Sequence, residues 1–107
     1  MELKVIPQTF SVCQVADYSQ VDWSAPFCFP GKTDEENSLV CPSNAVPANV
    51  LKRDDGWRAF RIEGVLAAQK IGIFALSTYN TDYVLTKAAQ FPQALATLRE
   101  AGYTILL

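Results

Sequence analysis

The chain has 107 residues, 50% of them hydrophobic and 19% charged, with a formal net charge of -2. That suits one compact domain or two small half-domains sharing a core, with about two thirds of the unfolded surface buried on folding. Its nine basic residues form no stripe, no apolar run approaches the roughly 18 residues of a membrane span, and Met1-Glu2-Leu3-Lys4 lacks a signal peptide's apolar stretch, so neither nucleic acid, membrane nor export is expected.

Thr9 to Val15 alternates apolar and polar residues with a period of two, which predicts a half-buried strand. Ala16 to Pro30 is rich in aromatics and turn residues, and Trp23, Phe27 and Phe29 are expected to cap a small core. Gly31 to Glu36 reads as a polar turn, where Thr33 and Glu36 have the spacing of a capping box and allow one helical turn. Ser38 to Cys41 is a short strand stopped by Pro42. Pro42 to Asp55 reads as a connector, with Asp54-Asp55-Gly56 as a turn. The internal boundary is placed near Arg53, giving a β-rich N-terminal half-domain (1–53) and a second domain (54–107).

Trp57 to Glu63 alternates again and predicts a strand ending at Gly64, with Trp57, Ala59 or Phe60, and Ile62 competing for its inner face. Val65 to Lys70 favours helix but is under two turns long. Ile71 to Ser77 is a continuous apolar run of the kind found in strands buried on both faces. Thr78 to Thr81 is a turn, and Asp82 to Thr86 returns, closing a hairpin. Phe91, Leu95 and Leu98, with Ala94 and Ala101 beside them, predict a helix begun by Pro92 and stopped by Gly102. Tyr103 to Leu106 is the last strand.

Chemistry-bearing residues are sparse. There is no histidine to serve as a base, and no phosphate-loop, metalloprotease or nucleophile-elbow motif, so no catalytic residue and no enzyme activity is expected. Cys13, Cys28 and Cys41 are odd in number and form no CxxC pair. They read as small buried hydrophobes in strands rather than a disulfide framework or metal site. No cofactor is expected.

Trp57-Arg58-Ala59-Phe60-Arg61-Ile62-Glu63-Gly64, followed by Ile71 to Leu85 with Ser77-Thr78-Tyr79-Asn80-Thr81-Asp82-Tyr83 at its centre, resembles the ACT domain. The likeness is to small bacterial ACT proteins and the related cytosolic arginine sensors. Val40-Cys41-Pro42 and Val46-Pro47 resemble the half-domain that precedes the ACT unit there. The resemblance implies an α+β, ferredoxin-like βαββαβ fold, a cytoplasmic regulatory module, pairing as a homodimer, and an amino-acid effector bound near the pairing surface. The family's pattern implies ligand contacts from the loop after the first strand and from the neighbouring hairpin, here Gly64, Ser77, Thr78, Tyr79, Asn80, Thr81 and Asp82. Asp82 is the sharpest candidate, since a carboxylate at a strand end beside a core can pair with a cationic ligand group. The plainer reading of Asp82 is a turn aspartate bonding nearby N–H groups, and that of the hydroxyls is turn capping.

The family places a loop and a full helix between Gly64 and Ile71, and here only Val65 to Lys70 stand, as if the first helix were truncated. Fully extended, six residues reach about 20 Å, which only matches the return along a six-residue strand. Three readings stay open: a discontinuity between Gly64 and Val65, a deletion with rearrangement, or completion of the fold by a second chain. The lost loop belongs to the ligand pocket, so a structural or dimerisation module that has lost ligand binding is the alternative to the amino-acid sensor.

Overall fold

The computed structural model describes residues 2–62, 73–77 and 82–106. Among these residues it is a mixed α/β structure of seven strands and one α-helix: β1 (Glu2–Val15), β2 (Phe29–Lys32), β3 (Asn37–Pro42), β4 (Val50–Ile62), β5 (Ile73–Ser77), β6 (Asp82–Lys87), α1 (Phe91–Glu100) and β7 (Thr104–Leu106). Two compact units form: Gln8–Gly56, and Met1–Pro7 together with Trp57–Leu107.

In the unit Gln8–Gly56 the strand order is β2-β3-β1-β4. β1 runs antiparallel to β3 from Phe10↔Pro42 to Val15↔Asn37. Its inner face carries Cys13 and Val15, packed with Leu39, Cys41 and Val21. Ser11, also fully buried, shares a hydrogen bond of 2.8 Å with the Ser43 hydroxyl and donates to Asp55 Oδ1 at 2.5 Å. Thr33 does cap, but not a helix: its Oγ1 accepts from the Glu35 and Glu36 N–H groups inside the loop of the β2–β3 hairpin. Trp23, expected over the core, is 58% exposed, and Tyr18, Val21 and Cys28 pack there instead.

The expected connector is the second correction. A 3-10 turn at Ser43–Ala45 follows β3, and the chain is in β4 from Val50 onward. Asp54, Asp55 and Gly56 therefore lie inside a strand. Their turn chemistry survives only as the positive φ of Gly56, 83°, a value an L side chain rarely adopts. The pattern misleads because Leu51 to Gly56 are all exposed, so no apolar alternation marks the strand.

In the other unit β5, β6 and β4 are neighbours, with β1 beside β4 and β7 beside β1. The hairpin has the expected pairing, Ile73↔Thr86 to Ser77↔Asp82. β4 pairs with β6 from Trp57↔Lys87 to Ile62↔Asp82. Phe60 and Ile62 take the inner face with Leu3, Val84, Phe91 and Leu98. The helix starts with proline in its first turn and ends with Gly102 at φ 100°. Tyr103 N–H donates to Leu98 O and Gly102 N–H to Arg99 O, which satisfies its last carbonyls. Ala101 is exposed rather than on the buried stripe. β5, expected to be buried on both faces, ends the strand order instead, with Ala75 exposed. A continuous apolar run does not by itself report whether a second neighbour exists.

Two features separate this unit from the expected βαββαβ pattern. Glu2–Lys4 of β1 pairs in parallel with Thr104–Leu106, so an extra strand lies between β7 and β4. The link expected to hold a truncated helix, and the 64–65 junction within it, lie outside the described residues.

Candidate ligand-binding site

Three strand ends meet at one place in the register. Ile62, the last residue of β4, pairs with Asp82, the first of β6, and Asp82 pairs in turn with Ser77, the last of β5. The chain segments next to these ends are the ones that hold Gly64 and Thr78 to Thr81. Ser77 and Asp82 are thus brought opposite each other, whereas Gly64, Thr78, Tyr79, Asn80 and Thr81 lie outside the described residues. Behind the site β6 runs straight into the core, with Val84 and Leu85 fully buried.

Other polar clusters lie in the unit Gln8–Gly56. A shallow cleft of about 240 Å³ is lined by Gln14, Glu36, Ser38, Lys52, Arg53 and Asp54 among others. Its charges balance, and the Arg53 guanidinium is 3.0 Å from Asp55. Sequence reasoning missed this cleft because it took the β4 residues for a connector. Asp17 and Asp22 are held below the usual carboxylate range by hydrogen bonds from Ser19 and Ser24, which close two tight turns.

The three cysteines converge on one apolar cluster. Cys13 and Cys41 are buried in strands as expected, while Cys28 is half-buried and lies outside a strand. All three thiols are free, and among the described residues no group of three or more His, Cys, Asp or Glu side chains can hold a metal ion. Burial pushes the Cys13 and Cys28 thiols up, and the Cys41 thiol from its ordinary 9.0 to about 12. The folded state therefore retains protons that the unfolded chain gives up. This contribution is complete below pH 9.0 and declines as the pH rises toward about 12. The denaturation midpoint is accordingly expected to fall between neutral pH and about pH 10.5, and to fall less in Cys41→Ala, whose unfolded state has one thiol fewer to ionise. An equal fall in both chains would show that other groups drive it.

An ACT-domain family model matches residues 51–100. The crystal structure of protein Atu0741 from Agobacterium tumefaciens is similar over 99% of this chain and 92% of that chain, with a TM-score of 0.82 at 26% identity. No curated protein matches. An ACT domain is thus detected in the part of the chain that carries the three strand ends. ACT domains are small-molecule regulatory modules and are not catalytic. Among the described residues no helix is long and apolar enough to cross a membrane.

Proposed function

We propose that this chain is a non-catalytic regulatory module that binds an amino acid at the ends of β4, β6 and β5, with Asp82 pairing a cationic group of the ligand. The observation that carries the reading is the register Ile62↔Asp82↔Ser77, which gathers three strand ends inside the segment matched by the ACT model. The likeness of residues 77–83 to the arginine-sensor branch supports a basic effector. The order of β5, β6 and β4, followed by α1 and β7, supports a βαββαβ plan with one strand added. The three free thiols suit a reducing, cytoplasmic compartment.

A thermal-shift screen of the twenty amino acids tests this. A ligand at 100 times its dissociation constant stabilises the fold by about 2.7 kcal/mol, a rise of several degrees for a domain of this size. Asp82→Asn is expected to cost about 1.5–3 kcal/mol of that ligand's binding, the scale of a charge-assisted hydrogen bond, while leaving ligand-free melting nearly unchanged. A variant that melts far lower without ligand would mark Asp82 as a structural turn residue.

The proposal includes a homodimer. β5 ends the strand order, and Ile73-Phe74-Ala75-Leu76-Ser77 has neither charge nor proline to discourage pairing. Light scattering at about 100 μM is expected to give a dimer mass, and a monomer mass would remove this part of the reading.

A further inference from the structure

The two units follow one plan. In the first, a strand ends at Val15, which pairs with Asn37 at the head of β3, and Asn37 pairs with Lys32 at the end of β2. In the second, Ile62 pairs with Asp82 at the head of β6, and Asp82 pairs with Ser77 at the end of β5. Both hairpins have four residues between the paired ends, 33–36 and 78–81. Both returning strands lead into a three-residue 3-10 turn, Ser43–Ala45 and Ala88–Gln90. The strand order β2-β3-β1-β4 in one matches β5-β6-β4 in the other, where β1 then intervenes before β7. By register Asn37 corresponds to Asp82, Lys32 to Ser77, and Val15 to Ile62.

What differs is the chemistry at the matched positions. Asn37 Nδ2 donates to the carbonyl of Ala16, the residue just past the end of β1, at 3.0 Å. Its Oδ1 accepts from the Lys32 ammonium at 3.5 Å. Ala16 is held further by its own N–H, which donates to Asn49 O at 3.4 Å, and the Asn49 amide donates to the neighbouring Asp17. In the second unit the amide is replaced by a carboxylate and the lysine by a serine. The second unit therefore has more negative charge at the head of the returning strand, and no ammonium on the residue facing it.

We infer that Gln8–Gly56 is a closed copy of the ligand site, in which Lys32 supplies from within the chain the ammonium that the second copy takes from a ligand. The inference rests on the reading of Asp82 as a ligand contact. It adds that each chain has one competent site, and that the pair Lys32 and Asn37 against Ser77 and Asp82 decides which copy is open.

The double variant Lys32→Ser with Asn37→Asp gives the first copy the residues of the second. Wild type and variant are titrated calorimetrically with each of the twenty amino acids, and the variant is expected to take up one more equivalent per chain. An unchanged stoichiometry, or two equivalents already in the wild type, overturns the inference while leaving the Asp82 reading in place. Uptake by the variant and none by the wild type, or uptake by neither, overturns the inference together with the Asp82 reading. A ligand-free comparison covers a variant that fails to fold. Ser77→Lys added to Asp82→Asn rebuilds the Lys32–Asn37 pair in the second hairpin and is expected to raise the melting temperature above that of Asp82→Asn alone. An equal or lower value overturns the inference.

Discussion

Replacing Leu3 with alanine is expected to destabilise the C-terminal unit by about 2–5 kcal/mol, the range for truncating a buried leucine. Leu3 is 1% exposed and packs with Phe60, Ile62, Val84, Phe91 and Leu98, although 56 residues of chain lie between it and the nearest of these. It can do so because Glu2–Lys4 pairs with Thr104–Leu106, inserting the start of β1 beside β4. The segment matched by the ACT model, 51–100, therefore lacks two strands of that unit, the start of β1 and β7. Lys4→Ala, at an exposed position on the same strand, should change stability by no more than about 0.5 kcal/mol. Urea denaturation read by hydrogen exchange at 57–62 and 91–100 checks both. If Leu3→Ala behaved like Lys4→Ala, the first strand would be an ornament on a unit complete without it.

Phe60→Ala should cost about 3–5 kcal/mol, the expected loss for an aromatic side chain removed from a packed core. Phe60 is 1% exposed and its ring lies 6.0 Å from that of Phe91, the first residue of α1. The Arg58 guanidinium stacks on the far partner, 4.9 Å from the Phe91 centroid, and also donates to the Ile6 carbonyl. Removing Phe60 thus opens a cavity where β4, α1 and the cation–π contact meet. A domain of this size has about 5–15 kcal/mol of total stability, so the loss is a large fraction of the whole. Phe60→Leu, which retains most of the apolar volume, should recover much of the loss in denaturation midpoint. A midpoint for Phe60→Ala within about 1 kcal/mol of wild type would mean that the core closes over the gap.

The parts of the fold legible in the sequence are those made by neighbours along the chain. Phe91, Leu95 and Leu98 recur at helical spacing, Pro92 and Gly102 bracket them, and the helix runs Phe91–Glu100. The hairpin of β5 and β6 follows from two short apolar runs separated by four residues in the sequence, and its register pairs Ser77 with Asp82. The candidate site was legible to that extent, because its two described residues face each other across one hairpin.

The rest was decided by pairings between distant segments. Nothing in Glu2-Leu3-Lys4 distinguishes a strand from a polar leader until Thr104–Leu106 is placed beside it. Asp54, Asp55 and Gly56 have the composition of a turn, and only β1 alongside β4, with Ser11 reaching Asp55, makes them a strand. Cys13, Cys28 and Cys41 are evenly scattered in sequence, yet they meet because β1 and β3 are antiparallel and the intervening loop folds back on them. Local propensity and periodicity act over a few residues and are written in the chain directly. Strand order, the identity of edges and the convergence of side chains depend on burial and backbone hydrogen bonding over the whole domain. Many local patterns satisfy these equally well, so the choice among them was made by tertiary structure.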